Sequence, residues 1–162
     1  MRSEFMRRIL LNAMGLLSAA TIVSPFLVQV EPASANCQVS STALEVAELT
    51  NQVRAKYGLR PLRSNCQLYS AAQNHTVDMV NQRKMSHTGS DGSNVGTRVK
   101  RSGYQYSSIA ENVAQGQRSP SQVVNSWMDS PGHRQNILNP NYTEIGVGYA
   151  NNYWTQVFGR GR

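Results

Sequence analysis

Chemistry in this chain depends on a small set of residues. Past residue 35 there are three histidines, His75, His87 and His133, and seven acids. His87 stands in "KMSHTGSDGSNVG" (84–96) and His133 in "SPGHR" (130–134), both stretches of loop formers. Loops held by a rigid scaffold are where sites usually sit, and a long loop in a compact domain is usually functional or mobile. Glu111 lies in "IAENV" (109–113), with apolar flanks on both sides. A buried carboxylate needs partners, and two imidazoles could supply them. An imidazole oriented by Glu111 is equipped for general acid or base work on a water nucleophile, with Ser86 or Ser90 as a weaker nucleophilic variant. As three ligands plus water, His87, His133 and Glu111 are of the types that suit zinc with an open position. The same three residues could instead line a ligand cleft or form a structural hydrogen-bond knot.

The other titratable residues read as structural. His75 falls on an apolar helical stripe between Ala71 and Met79, the place of a core histidine. Glu45 reads as a capping residue, Glu48 and Asp78 as solvent-facing, and Asp129 as exposed near a helix end. "GSDGS" (89–93) offers one carboxylate, too few oxygens for calcium. No HExxH, CxxC or nucleophile-elbow serine is present, and "GVG" and "GRG" lack the strand-to-helix order of a phosphate cradle.

Helices come first among the elements that must position these residues. Thr42-x-x-Glu45 reads as a capping box, followed by Val46, Leu49, Val53 and Tyr57 at helical spacing and a stop at Gly58 and Pro61. Ser64-x-x-Gln67 opens a second helix with Leu68, Ala71, Ala72, His75 and Met79 on one face, reaching about Arg83. A short helical piece over about 94–101 ends at Gly103, and 107–116 alternates weakly as a strand. Ser119-Pro120 starts a helix that buries Val123, Val124, Trp127 and Met128, and "SPG" (130–132) ends it. "TEIGVGYA" and "YWTQVFG" alternate across "NN" (151–152) and predict an antiparallel hairpin, with Trp154 alternating beside Gln156 and Phe158. Helices followed by paired strands predict an α+β fold, helices covering an antiparallel sheet.

The N-terminus reads as an address. Arg7 and Arg8 precede an apolar run, and Ala33-Ser34-Ala35 has the small-x-small pattern of a signal peptidase site. The expected organisation is a signal peptide over 1–35, then a single domain over 36–162 with no transmembrane segment once the signal is removed. That domain keeps 13 Lys+Arg against 7 Asp+Glu, a net charge of +6. "RVKR" (98–101) is its only dense basic group and reads as a solvated face; export argues against nucleic acid as a partner. Cys37 and Cys66 both fall in the exported part, where two cysteines most simply pair with each other.

These pieces, in order, resemble a known family. "HTVDM" (75–79), "SHTGSDGS" (86–93), "GY" (103–104), "AENVAQG" (110–116), "WMDSPGHRQNIL" (127–138), "IGVGYA" (145–150) and "YWTQVFG" (153–159) are similar to bacterial members of the CAP superfamily, the cysteine-rich secretory, antigen and pathogenesis-related group also called the SCP domain. The resemblance spans about 43–159. It implies a three-layer α-β-α sandwich with a mainly antiparallel sheet, and a cleft lined by His87 and Glu111. Where many animal and plant members carry two further cleft residues, a histidine and a glutamate, this chain has Tyr153 and Ser130. The expectation is a secreted protein, extracellular or periplasmic, with His87, Glu111, His133 and Tyr153 at a polar cleft. Its expected role is a binding module for a lipid, peptide or other envelope component, with a peptidase-like hydrolase or a zinc site on His87 and His133 as the alternatives.

Overall fold

The computed structural model describes residues 37–162, so the expected signal peptide and the start at Asn36 lie outside the described residues. Helix α1 spans Ser41–Lys56, and a two-residue strand β1 (Arg63–Ser64) leads to α2, Cys66–Gln82. A long loop follows, then α3 (Val95–Arg101) and strand β2 (Tyr106–Gln115). Helices α4 (Pro120–Asp129) and α5 (Pro131–Ile137) precede the hairpin of β3 (Glu144–Ala150) and β4 (Tyr153–Gly161).

The helices start where polar side chains can satisfy free backbone N–H groups, one residue or two from the expected caps. Ser40, not Thr42, caps α1 by accepting from Ala43 N. Asn65, not Ser64, caps α2, its Oδ1 accepting from Gln67 N and Leu68 N. Ser119 caps α4, with Pro120 in the first turn as the sequence predicts. The buried face of α1 is Ala43, Val46, Ala47, Thr50 and Arg54; Tyr57, expected on that face, is 57% exposed beyond the last turn. The α2 stripe of Leu68, Ala71, Ala72, His75 and Met79 is buried as predicted. Helix α5 was not expected. "SPG" does end α4, but Pro131 also starts the next helix, because proline's fixed φ and missing N–H suit a first helical turn.

The sheet order is β1-β3-β4-β2. β3 and β4 pair antiparallel through a turn with Asn151 and Asn152 both at positive φ, and β4 pairs antiparallel with β2. Only the short β1 runs parallel, against β3, so the sheet is mixed but mainly antiparallel. Central strand β4 is buried on both faces. Trp154 and Phe158 point into a core with Val46, Val123, Trp127 and Ile137 from α1, α4 and α5. Val157 points to the opposite layer, with Leu68, Ala71, Ala72 and Val99 from α2 and α3. The result is the expected α-β-α sandwich.

Two details fix the layers. A Cβ on Gly146 would lie 2.1 Å from the Leu68 carbonyl carbon, and one on Gly148 would lie 2.5 Å from the Ala72 carbonyl oxygen. "GVG" is therefore a bare strip on which the α2 backbone rests directly. The outer edge of β2 is closed by side chains rather than by another strand. The carbonyls of Ile109, Glu111 and Val113 accept from Tyr142 Oη, Asn136 Nδ2 and Trp127 Nε1. Capping alternate carbonyls in this way blunts an edge that could otherwise template a further strand. Cys37 and Cys66 form a disulfide that ties the chain before α1 to the first residue of α2.

Candidate functional site

Glu111 is the centre of the site, and one of its two expected partners is different. Its side chain is almost fully buried, on the β2 face that looks toward α2 and α3. Oε1 lies 2.9 Å from His87 Nδ1, as the sequence reading requires. Oε2 accepts from Arg98 NH2 at 2.7 Å, where a second imidazole was expected. Arg98 belongs to "RVKR", read from sequence as a solvated face; the structure buries it to 9% exposure. Its guanidinium also donates to the carbonyls of Ser93 (2.7 Å) and His87 (3.0 Å). One planar fork thus holds both ends of the His87 loop and the carboxylate that orients His87. The only hint in the sequence was the position of Arg98 on a short predicted helix directly after that loop.

The loop is ordered by more than Arg98. Asp78, expected to face solvent, accepts from Ser90 N at 2.8 Å. His75, expected in the core and buried there, has Nε2 2.8 Å from the Ser86 carbonyl. Asp91 accepts from Ser93 N, and Gly89 and Ser93 close the turn through their backbones. "SHTGSDGS" is polar because its own side chains and backbone knit it into a wall.

His133 lies in the first turn of α5, the helix whose Asn136 donates to the Glu111 carbonyl. Its carbonyl accepts from Asn112 Nδ2 at 3.2 Å, while Asn136 of the same helix donates to Asn112 Oδ1 at 2.8 Å. The side chain of His133 is not hydrogen-bonded to Glu111. Its ring is pushed toward the neutral form, first by burial and then by the positive charge of His87. His87 is shifted the opposite way, its pKa raised mainly by the hydrogen bond to Glu111 and opposed by partial burial and by Arg98. Tyr153 is further off: it packs with Met79 and Val113 and its hydroxyl accepts from Gln115 Nε2 at 2.8 Å. Ser130 sits between α4 and α5 without making a side-chain cap.

This arrangement presents one exposed imidazole edge. The His87 side chain is 59% exposed, its Nδ1 engaged and its Nε2 without a hydrogen bond among the described residues. A buried carboxylate that fixes the tautomer and orientation of an imidazole leaves the far nitrogen free to meet a ligand or move a proton. Among the described residues no hydroxyl is hydrogen-bonded to the His87 ring: Ser86 Oγ accepts from Thr88 N, and Ser90 bonds Asp78 through both its backbone and its side chain. Zinc fits the set poorly. Both Glu111 oxygens are already bound, a guanidinium adjoins them, and no three His, Cys, Asp or Glu side chains group to hold a metal ion among the described residues.

The family model for the cysteine-rich secretory protein family, CAP, matches residues 47–158, from α1 through most of β4. The chain belongs to the CAP family. A relative from Bacillus subtilis (strain 168), the uncharacterized protein YkwD, is 42% identical over 127 residues, covering 77% of this chain and 49% of YkwD. The uncharacterized membrane protein YlbC of the same organism is 31% identical over 114 residues, 70% of this chain and 33% of its own length. The chain thus spans half or less of the curated relatives it matches. Among solved structures, an extracellular protein with an SCP domain from Bacillus anthracis superposes with a TM-score of 0.72 at 29% identity, over 74% of this chain and 40% of that one. An outer surface protein of Borrelia burgdorferi shares the fold, with a TM-score of 0.66 at 22% identity over 72% of this chain and 90% of that one. Among the described residues no helix is long and apolar enough to cross a membrane.

Proposed function

We propose that this CAP domain is exported and works as a binding module, its polar cleft between the His87 loop and the His133 end of α5 taking a lipid, peptide or other envelope component. The observation that carries this reading is that both oxygens of Glu111 are engaged within the protein. With both oxygens occupied by Arg98 and His87, the carboxylate acts as a fixed support, and the group left to meet a ligand is His87 Nε2. The carbonyls of Ile109, Glu111 and Val113 are already capped, which disfavours an extended peptide adding as a strand at the β2 edge and favours side-chain contacts there. The disulfide and the extracellular setting of the B. anthracis relative fit export. Native mass spectrometry of the protein recovered from its host tests the reading. Wild type should carry a bound species that His87→Ala lacks. Wild type recovered without adducts, or a His87→Ala protein carrying the same adduct, rules it out.

One observation favours a second reading, hydrolysis. His87 is shifted toward its protonated form and His133 toward its neutral form. Opposed shifts on two titratable groups, one of which feels the charge of the other, are what an acid–base pair requires, with His87 as acid, His133 as base and water as nucleophile. That mechanism predicts a bell-shaped pH–rate profile on peptide substrates, lost in both His87→Ala and His133→Ala. Activity surviving in either variant would leave binding alone.

A further inference from the structure

A recess of about 370 Å³ lies between α2 and α3. That is within the roughly 300–1,000 Å³ of ligand pockets. His87, Glu111 and His133 do not line it, so it is a different site from the one described above.

Pairing decides its charge. Asp78, Asp91, Arg98 and Arg101 all line the recess. Arg98 is committed to Glu111, and Arg101 to Asp91. Asp78 forms no ion pair among the described residues. Ser90 alone holds it, donating from its backbone N at 2.8 Å and from its hydroxyl, and these bonds keep the carboxyl below its ordinary range and so ionised. His75 also lines the wall, but burial keeps its ring toward the neutral form and adds no positive charge. One negative charge is left over.

The hydrogen-bonding groups favour the same sign. Ser102 Oγ gives its proton to the Val99 carbonyl at 2.8 Å, and Ser90 gives its own to Asp78, so both hydroxyls are left as acceptors. Asn74 lines the recess one turn before Asp78, is exposed, and makes no hydrogen bond among the described residues. A bare metal ion suits this wall poorly. Calcium takes about six to eight oxygen ligands, and the two carboxylates are already tied to Ser90, Ser93 and Arg101.

We propose that this recess binds a small organic primary amine as its ammonium ion, seated against Asp78 and Asn74 with its body along Ser70, Ala71 and Ser102. An ammonium carries three donors and one positive charge, which matches a wall of acceptors with one uncompensated carboxylate. The amino group can belong to a free amine or to a side chain on a polymer, since both present the same donors. The inference does not rest on the cleft reading.

The test is a titration of the full chain followed by 1H–15N NMR of the Ser90 backbone amide and the Asn74 side-chain amide. The probe is ethanolamine, with ethylene glycol and glycolate as its neutral and anionic counterparts, tetralysine as a chain-borne amine, and calcium as a metal. Saturable shifts of both amides are expected with an amine. Asp78→Asn, which keeps an acceptor for Ser90, should weaken binding tenfold or more. Asn74→Asp, at an exposed position without a hydrogen bond, should tighten it, and it keeps the test decisive if the Asp78 variant loosens the loop. Tetralysine binding more than tenfold tighter than ethanolamine points to a chain-borne amino group, and any smaller difference to a free amine; either supports the site. No shift with either amine, binding of glycol, glycolate or calcium as tight as that of the amines, unchanged affinity in Asp78→Asn, or no tightening in Asn74→Asp would each overturn it.

Discussion

Arg98 and Glu111 meet at 2.7 Å with both side chains buried, and this pair joins the His87 loop, α3 and the edge strand β2. Taking two charges out of water is costly, and a buried pair is kept only when further hydrogen bonds complete it. Here Ser93 and the His87 carbonyl complete the guanidinium, and His87 completes the carboxylate. Removing one partner should leave an uncompensated charge. Arg98→Ala is expected to cost about 3–5 kcal/mol in urea unfolding. The doubly apolar Arg98→Met/Glu111→Leu should recover much of that stability while losing the fixed orientation of His87. An Arg98→Ala protein as stable as wild type would show that the pair is not buried in solution.

The contact of α2 with β3 predicts an unusually large effect from a single methyl group. At Gly148 the nearest atoms to an added Cβ are the Ala72 carbonyl oxygen, its carbon and the Thr76 hydroxyl, all within 2.6 Å. Two of these are backbone atoms of a helix and cannot step aside as a side chain would. Gly148→Ala should therefore exceed the usual 1–3 kcal/mol of core overpacking or prevent folding. Gly132→Ala, with nothing within 4 Å of its Cβ, is the matched control and should melt within a degree or two of wild type. Equal behaviour of the two variants would mean that α2 does not rest on β3 as described.

The disulfide makes a separate prediction, because it acts mainly on the unfolded chain. It closes a sequence separation of 29 residues. In the chain-entropy model a loop of that size contributes about 3–4 kcal/mol. A Cys37→Ser/Cys66→Ser protein should lose that amount in urea unfolding, with its folded-state spectrum retained. Two alkylatable thiols in the unreduced native protein would contradict the pairing.

Much of this was legible in the sequence for a physical reason. The α2 stripe, the α4 start and the β3–β4 hairpin are declared by local periodicity, a capping serine or an asparagine turn, and each was found where expected. Glu111 was legible because a lone carboxylate between apolar neighbours has few bland explanations. Arg98 was not: a basic residue in a basic cluster reads as solvated unless its partners are known, and those come from the loop before it and from β2. Helix α5 was hidden because Pro131-Gly132 is a stop signal for the preceding helix and equally a start for the next. The recess around His75 had no local signature, since its walls come from α2, the loop and α3.

The Glu111 hydrogen bond to His87 leads to the last prediction, on pH. Glu111 holds the His87 pKa above the ordinary value of about 6.5, so the folded state binds that proton more tightly than the unfolded chain does. The stabilisation from His87 is therefore complete below about pH 6.5 and disappears as pH rises through the folded-state value. His75 and His133 work in the opposite sense: burial lowers both, so their stability is present above about pH 6.5 and is lost as pH falls. Arg98 limits the His87 effect by opposing its charge. Comparing wild type with His87→Gln should show the largest stability gap in mild acid, closing above neutrality, and the variant should unfold more readily on acidification because its two remaining histidines are unopposed. Histidine NMR titration checks the cause directly, with His87 expected to titrate last as pH rises and His133 before it. A His87 value at or below that of His133 would mean that the Glu111 contact does not persist in solution, and the fixed-imidazole site would fall with it.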